Sequence, residues 1–223
     1  SLLSLPVASI TMADLKAVTQ SLLHCGAAIQ EINTIRKHLS SIQGGRLAAA
    51  CAARIHALVI SDVTGDDPTH IASGPCAPDP TTYADALAIL ARYSCTVPPA
   101  VMDTLQRGAR GELGETPKPG DKVFARAENR VIATAQQSLA AAAQYFENHG
   151  VKAVVLGDSV TGEAREIAAL HAALAREIKK RGLPWPAPLA VISGGECTVT
   201  IRGKGRGGRC AEFLLALTRE LNG

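Results

Sequence analysis

A glycine-rich and strongly basic segment near the end of the sequence combines residue types that bind anions. Four cations and four glycines occur there within eight residues: Arg202, Lys204, Arg206 and Arg209, with Gly203, Gly205, Gly207 and Gly208. Glycines let a ligand approach backbone N–H groups closely, and guanidinium groups bind phosphate or carboxylate oxygens in pairs. The alternating residues 197–201 predict a strand before the segment, and the apolar spacing after it predicts a helix whose N-terminus attracts anions. We therefore expect an anion site here, with a solvated turn as the second interpretation.

Two phosphate-binding motifs can be compared with this segment. The Walker pattern is absent, because no Gly-Lys pair is followed by Ser or Thr. Gly203, Gly205 and Gly208 do fit the G-x-G-x-x-G spacing of dinucleotide-binding turns. The preceding strand, however, follows residues 189–193 after a short turn at 194–196, which predicts a β-hairpin rather than the required βαβ crossover. Too few residues also follow the segment to supply the acidic residue that binds the ribose.

A second candidate group is a set of carboxylates after a short apolar strand. Residues 57–60 predict the strand, and the loop at 61–67 carries Asp62, Asp66 and Asp67. Ligands bind at the carboxyl ends of strands in open α/β sheets, and Mg²⁺ is usually held by one or two carboxylates plus substrate phosphates. Asp62 leaves the strand directly and is the best-placed metal ligand, whereas Asp67, followed by a proline, is expected to cap a turn.

A third candidate group surrounds a pair of glycines. Arg36, Lys37 and Arg46 flank Gly44 and Gly45 in the sequence. Two interpretations are equally supported. The group is either a second anion site, or a helix C-terminus that a glycine caps and at which the helix dipole favours cations.

The elements that position these groups follow from the spacing of apolar residues. Helices are predicted at 14–39, with an interruption near Gly26, and at 47–53, 83–93, 99–107, 135–148 and 162–181. Strands are predicted at 57–60, 131–133, 153–156 and 189–193. The helix between 131–133 and 153–156 makes these two strands a parallel βαβ unit. We predict an α/β fold: a three-layer domain with a mainly parallel sheet, then a proline-rich linker after Gly182, then the start of a second α/β domain that opens with the β-hairpin.

The composition excludes several functional classes. The chain has 223 residues, of which 47% are hydrophobic and 3% aromatic, and its formal charge is +3. So small a charge with so few aromatic residues argues against nucleic-acid binding, and no run of about 18 apolar residues could span a bilayer. Six cysteines without a C-x-x-C pair or zinc spacing indicate reduced thiols in the cytoplasm, and the histidines show no ligand spacing.

Six motifs along the chain carry a resemblance to a known family. They are RKHLS (36–40), GGRLA (44–48), SDVTGD (61–66), IASGP (71–75), SGGE (193–196) and GRGGR (205–209) with Glu212. In order and spacing they resemble the class II glycerate kinases, whose second half is called the MOFRL domain. The resemblance implies ATP-dependent phosphorylation of D-glycerate, or a similar hydroxy acid, to 2-phosphoglycerate with Mg²⁺. It divides the chain into residues 1–183, the C-terminal part of the α/β kinase domain, and 187–223, the beginning of the MOFRL domain.

The resemblance also implies roles for individual residues. Arg209, with Arg206, would stabilise the transferring phosphoryl group, and Asp62 or Asp66 would hold Mg²⁺ or orient the hydroxyl. The carboxylate of the substrate would be bound by Arg36, Arg46 and Ser73. The nucleotide and its phosphates would contact Gly194, Gly195, Glu196, Gly205, Arg206, Gly207 and Gly208.

The sequence also departs from the family pattern. Cys210 and Ala211 stand where the family usually has an asparagine followed by glutamine or valine, so any hydrogen bond from that asparagine is lost. Two parts of the family pattern have no counterpart here: an N-terminal region with an active-site lysine, and a turn late in the MOFRL domain. We therefore expect a fragment that does not catalyse the reaction by itself. Three functions stay open: a kinase first, an NAD(P)-dependent hydroxypyruvate reductase second, and a non-catalytic ligand-binding fragment third. A homodimer is compatible with the sequence, which does not fix the oligomeric state.

Overall fold

A computed structural model of the chain describes residues 3–63, 65–200, 203 and 205–222. Its α-helices are α1 (Met12–His24), α2 (Ile29–His38), α3 (Arg46–Ala50), α4 (Tyr83–Arg92), α5 (Pro99–Ala109), α6 (Ala135–Asn148), α7 (Ala164–Arg181) and α8 (Arg209–Asn222). Its strands are β1 (Ile55–Ile60), β2 (Ala127–Ala133), β3 (Lys152–Val155), β4 (Gly162–Glu163), β5 (Leu189–Ile192) and β6 (Cys197–Thr198). Two 3₁₀ turns, Ile71–Ser73 and Lys122–Arg126, complete the regular structure of the described residues.

The chain forms two compact units, Ser1–Ile132 and Ala133–Gly223. In the first unit, α1, α2, α4 and α5 enclose an apolar core whose fully buried members include Leu22, Ile35 and Leu105. Apolar residues at helical spacing place one face of each helix in this core, and their burial is the main source of its stability. The two helices predicted on either side of Gly26 are confirmed as α1 and α2.

Local sequence signals start the helices of the first unit. Thr11 caps α1 and Thr82 caps α4, because each hydroxyl accepts the N–H of an aspartate three residues later. Asp14 and Asp85 in turn accept the N–H of the capping threonine, which completes a capping box at each helix. In the remainder of this unit, β1 and β2 form a two-stranded sheet.

The second unit is built on parallel strands. β3 pairs with β5, with Lys152 opposite Leu189 and Val155 opposite Ile192, and the chain between them contains α7. Helix α6 packs against β3 and β5, and α7 packs against α8. The predicted α/β class with parallel strands is therefore confirmed. The observed βαβ unit lies one strand later along the chain than the predicted one, because β2 pairs with β1.

The predicted β-hairpin between β5 and β6 is replaced, in the described residues, by a second parallel pair. β6 pairs with β4, with Cys197 opposite Gly162. At Gly194 the backbone N–H donates to the carbonyl of Gly157, and the carbonyl accepts the N–H of Val160. These bonds hold the chain against the segment after β3, so that it does not turn back onto β5. The predicted hairpin was one of two arguments against a dinucleotide site at the G-x-G-x-x-G spacing. Without the hairpin, only the small number of following residues argues against that site.

Helix α7 ends where the sequence predicts. Gly182 follows it with a left-handed φ of 68°, and the last turn carries Lys179, Lys180 and Arg181, which the helix dipole favours. The domain boundary predicted after this helix stays a prediction. Among the described helices, none combines the length and the apolar character needed to cross a membrane.

Candidate functional site

A cavity in the second unit brings together several of the predicted site residues. Its volume is about 220 Å³, and it lies beside the N-terminus of α8. Its walls are formed by Val160, Ile167, His171, Ser193, Gly194, Gly195, Cys197, Arg209, Cys210 and Phe213. The cavity therefore combines an apolar wall with one guanidinium group, one imidazole and one hydroxyl.

Gly195, in the cavity wall, lies where the chain passes close to the backbone of Val160. Its φ is 140°, and a Cβ placed on it would lie 2.1 Å from the carbonyl oxygen and 2.5 Å from the nitrogen of Val160. No side chain fits at such distances from backbone atoms, so this position requires glycine. Gly194 is also confined, because its Cβ would lie 3.1 Å from a methyl group of Leu139. The SGGE motif thus places its two glycines where the chain passes close to its neighbours.

Arg209 is the cation of the cavity. It is the first residue of α8, and its guanidinium group forms an ion pair of 2.6 Å with Glu196. Both side chains are more than half exposed, at 53% and 62%, so water competes for this pair and its contribution to stability is small. A doubly charged phosphate at this point would compete with a single carboxylate for the guanidinium group.

The glycine-rich segment before α8 is open to solvent. Gly205, Arg206, Gly207 and Gly208 are exposed, and a Cβ on any of the three glycines would contact no atom within 4 Å. The protein itself therefore does not require glycine at these positions, whereas a ligand bound against the backbone would. The carbonyl of Gly208 accepts the N–H of Glu212 and so begins the helix. Arg202 and Lys204, also predicted to bind the anion, lie outside the described residues.

His171 and Ser193 form a hydrogen-bonded pair in the cavity that the sequence reasoning missed. Nδ1 of His171 lies 2.8 Å from the carbonyl oxygen of Ile167, which can only accept, so Nδ1 carries the proton. In the neutral ring Nε2 then accepts the hydroxyl proton of Ser193, at 2.9 Å. The ring is also held edge-on against Phe213, with centroids 5.4 Å apart. The two residues are 22 positions apart, and no sequence spacing signals such a pair.

The predicted carboxylate-binding residues of the first unit have different environments. Arg36 is half-buried on α2, and its side chain makes no hydrogen bond or ion pair with the described residues. Arg46 begins α3 and donates to the hydroxyl of Tyr83, at 3.1 Å, and to the carbonyl of Gly114, at 3.2 Å. Its Nε is buried without a partner among the described residues. Ser73 is buried and donates to Oδ1 of Asn33, at 3.2 Å.

The IASGP motif contains strained backbone. Ala72, Ser73 and Gly74 are consecutive left-handed residues with φ of 53°, 61° and 59°. Two backbone bonds hold this turn: the N–H of Gly44 donates to the carbonyl of Ser73, at 2.9 Å, and that of Gly45 to the carbonyl of Gly74, at 2.7 Å. Left-handed conformations in residues other than glycine cost free energy and cluster at functional sites. The GGRLA motif thus holds the IASGP motif in an unfavourable conformation.

The glycine pair of the GGRLA motif is required by close packing. A Cβ on Gly45 would lie 2.8 Å from the ring of Phe124 and 2.9 Å from the carbonyl of Ala77, and Gly45 has a φ of 80°. Of the two interpretations given for this group, a helix C-cap does not describe it, because α2 ends at His38 and Gly45 precedes α3. The anion site at this turn stays a prediction.

A buried ion pair lies beside this turn and was also missed. Lys37, 2% exposed, donates to Oδ1 of the fully buried Asp79 at 3.3 Å. Thr81 and Thr116 donate hydroxyl hydrogen bonds to the same carboxylate. Burial raises the pKa of Asp79, but the bonds from Thr81 and the charge of Lys37 outweigh it and hold the pKa below its usual value. The sequence places Asp79 just before α4 but shows no sign that it is buried.

The predicted metal-binding carboxylates lie on an open loop. Asp62 is exposed, and Asp66 is half-buried with a left-handed φ of 53°. Asp67 accepts the N–H of Thr69 at 2.8 Å, and this bond lowers its pKa, so the prediction that it caps the turn is confirmed. Within the described ranges, no three His, Cys, Asp or Glu residues form a group that could hold a metal ion by themselves.

Two sequence families match the chain. Residues 1–106 match a family described as a domain of unknown function, DUF4147, and residues 189–223 match the MOFRL family. A protein of Agrobacterium vitis named as a hydroxypyruvate reductase is 46% identical over 226 residues, covering 100% of this chain and 50% of that protein. The glycerate 2-kinase of Pyrococcus horikoshii is 40% identical, covering 100% of this chain and 50% of that enzyme.

Solved structures give the same relationship. The crystal structure of the Thermotoga maritima glycerate kinase matches 99% of this chain and 51% of its own, with a TM-score of 0.80 and 36% identity. A structure from Pyrococcus horikoshii matches 98% and 50%, with a TM-score of 0.71 and 41% identity. The chain spans about half the length of these relatives.

Proposed function

Because this chain belongs to the class II glycerate kinase family, we propose that it takes part in transferring a phosphoryl group from ATP to the 2-hydroxyl of D-glycerate. Relatives named glycerate 2-kinase in Pyrococcus horikoshii and D-glycerate 2-kinase in Thermotoga maritima, 40% and 38% identical, support this proposal. Since the chain covers about half of each, the activity of the whole protein is part of the proposal. We also propose a cytoplasmic location, because all six cysteines are free thiols and disulfide bonds are rare in cytosolic proteins.

The observation that carries the proposal is the position of Arg209. It stands at the start of a helix, lines a cavity next to Gly194 and Gly195, and follows an exposed glycine-rich segment. Phosphoryl transfer is catalysed mainly by positioned positive charge on the phosphoryl oxygens. Arg209 would hold these oxygens in place of Glu196, while the helix N-terminus and the open backbone at 205–208 would bind the remaining phosphates.

The cavity supports a phosphate or another small anion rather than a whole nucleotide. Its volume of about 220 Å³ is below the range of about 300–1,000 Å³ for sites that enclose drug-sized ligands. The hydroxyl of Ser193 and the ring of His171 add two uncharged polar groups to the charge of Arg209. In this proposal the bulk of the nucleotide lies along the exposed segment, and only its terminal phosphate enters the cavity.

The carboxylates of the first unit have the donor chemistry that Mg²⁺ prefers. Mg²⁺ seldom has an all-protein cage and is usually bound by one or two carboxylates plus phosphates, so the small donor set at Asp62 and Asp66 suits it. In phosphoryl transfer Mg²⁺ supplies positive charge that neutralises phosphate oxygens. For the substrate carboxylate we propose Arg36 as the main partner, because the guanidinium of Arg46 and the hydroxyl of Ser73 already bind other groups.

The experiment is phosphorus NMR with Mg-ATP and D-glycerate on the intact polypeptide to which this chain belongs, with the chain by itself as a second sample, together with Mg-ATP binding by calorimetry. We expect a 2-phosphoglycerate signal that grows with ADP, and a loss of about 2–3 kcal/mol in Mg-ATP binding, roughly 30- to 150-fold, for Arg209→Ala. The matched control is Arg219→Ala, an exposed arginine of the same helix that is not part of the cavity wall. Equal affinities for the two variants would contradict the role of Arg209.

The alternative functions give different results in the same experiment. The relative from Agrobacterium vitis named as a hydroxypyruvate reductase favours a parallel assay with hydroxypyruvate and NADH, followed by absorbance. Steady loss of NADH without any phosphoester would overturn the kinase proposal. Binding of Mg-ATP or D-glycerate without turnover would assign the chain a ligand-binding role only.

A further inference from the structure

Two cysteines that are distant in sequence lie in direct contact in the first unit. Cys25 and Cys95 are 70 positions apart, and their sulfur atoms are 2.8 Å apart. Cys25 follows the last residue of α1, and Cys95 lies between α4 and α5. A disulfide bond is about 2.05 Å long, so the sulfur atoms need to move less than about 1 Å to form one.

The backbone holds both cysteines in this position. The N–H of Cys25 donates to the carbonyl of Ser21, and the N–H of Cys95 donates to the carbonyl of Leu90. A second link joins the same two segments, because the hydroxyl of Ser21 donates to the carbonyl of Thr96 at 2.9 Å. The contact between the sulfur atoms therefore belongs to a fixed junction between the end of α1 and the chain after α4.

The two thiols differ in accessibility, which gives the reaction a direction. Cys25 is exposed, whereas Cys95 is half-buried and packs against the apolar core. Burial and the hydrogen bond with Cys25 raise the pKa of Cys95 to about 11, so this thiol stays protonated near neutral pH. An oxidant in solution therefore meets Cys25 first, because the thiolate is the reactive form and Cys25 is the one open to solvent.

We propose that Cys25 and Cys95 are a dithiol site that forms a reversible disulfide with small disulfide oxidants such as oxidised glutathione. The thiolate of Cys25 attacks one sulfur of oxidised glutathione, and the first glutathione thiolate leaves. The thiol of Cys95 then loses its proton to solvent and attacks the sulfur of Cys25, and the second glutathione leaves. Two protein thiols are oxidised, and one glutathione disulfide is reduced to two thiols.

The other cysteines are the internal controls for this site. Cys51 and Cys76 belong to the same unit, and Cys197 and Cys210 line the cavity of the second unit. None of these four has a hydrogen bond to another sulfur among the described residues, and Cys51 and Cys76 interact only electrostatically. Oxidation by glutathione should therefore cross-link none of these four; the exposed Cys210 is open to a glutathione adduct, and the product should contain one defined protein cross-link.

The test is thiol counting on the whole chain after equilibration in buffer rich in oxidised glutathione. Alkylation followed by mass spectrometry should find Cys25 and Cys95 both blocked, a single peptide pair joined through them, any glutathione adduct confined to the exposed Cys210, and full recovery of thiols with dithiothreitol. Cys51→Ser, a half-buried cysteine of the same unit, should form the same cross-link. Cys25→Ser should form none, and Cys95→Ser should stop at a glutathione adduct on Cys25.

A second measurement does not depend on the variants. The disulfide closes a loop of 70 positions and restricts the unfolded chain, so the oxidised protein should unfold at a higher guanidinium concentration than the reduced protein. Six thiols after equilibration, a cross-link between another pair, or an adduct on Cys25 that never resolves would each overturn the proposal. A lower unfolding midpoint for the oxidised protein would also overturn it, because it would show that the disulfide distorts the junction.

Discussion

Replacing Gly195 with alanine tests whether the cavity of the second unit depends on a close passage of two backbone segments. The new Cβ would lie 2.1 Å from the carbonyl oxygen of Val160, at a residue with φ of 140°. Backbone atoms cannot rotate away as a flexible side chain can, so the chain must move at Gly195 or at Val160. Either movement breaks the hydrogen bond from the N–H of Val160 to the carbonyl of Gly194 or weakens the pairing that follows it.

The size of the effect can be worked out from two contributions. Forcing a non-glycine residue into this conformation costs about 1–3 kcal/mol, and overpacking costs about 1–3 kcal/mol more. We therefore expect Gly195→Ala to lower the free energy of unfolding of the second unit by about 2–6 kcal/mol. The control is Gly207→Ala, whose Cβ would contact no atom within 4 Å, and whose effect should stay below about 1 kcal/mol.

Urea unfolding followed by tryptophan fluorescence measures this directly. The only tryptophan of the sequence, Trp185, lies in the second unit, so its fluorescence reports the unfolding of that unit. The two alanine variants should differ clearly in midpoint. If Gly195→Ala unfolds at the same urea concentration as Gly207→Ala, the close approach to Val160 is wrong, and so is the cavity geometry derived from it.

Two further predictions concern the buried pair of the first unit. Lys37→Met leaves the carboxylate of Asp79 buried without its cation and should cost about 3–5 kcal/mol by circular dichroism in urea, whereas the double variant with Asp79→Asn should recover part of the loss. Because the pKa of Asp79 is lowered in the folded protein, its stabilisation is present above the unfolded pKa of about 4 and is lost as the pH falls through the folded value. The unfolding free energy should therefore fall below about pH 4, less steeply in Asp79→Asn; equal slopes would contradict this.

The helices could be predicted because their signals are local. The predicted helix at 135–148 matches α6 (Ala135–Asn148), and the N-cap Thr134 accepts the N–H of Gln137 at its start. Spacing, caps and terminal glycines act within a few residues, so one sequence contains all the information that they need. The same is true of Asp67, which bonds to the backbone two residues later.

Strand pairing could not be predicted in this way, because it depends on distant residues. The sequence around Gly194 and Gly195 has the composition of a tight turn, and a hairpin was the natural expectation. Gly195 serves instead to let the chain pass the backbone of Val160, 35 residues earlier. A glycine required by a turn and a glycine required by a close approach look the same in a single sequence.

Residue type also does not reveal which polar groups are free. Arg36 and Arg46 were assigned the same role, but the structure gives Arg46 two partners and leaves Arg36 with none among the described residues. Lys37, next to Arg36 in sequence, is buried against Asp79 because helical geometry turns adjacent residues to different faces. The pair of His171 and Ser193 joins a residue of α7 to the residue that follows β5, and no spacing rule relates these two positions.

The strained backbone of the IASGP motif in the first unit indicates a function beyond reversing the chain. A turn that served only to reverse the chain would use glycine, yet Ala72 and Ser73 both hold left-handed conformations at a cost of about 1–3 kcal/mol each. Two buried nitrogens in this unit, Nε of Arg46 and Nδ1 of His70, also have no partner among the described residues. Selection for stability alone would remove both the strain and the unpaired groups. Their position in and beside the IASGP and GGRLA motifs therefore supports ligand binding at this turn.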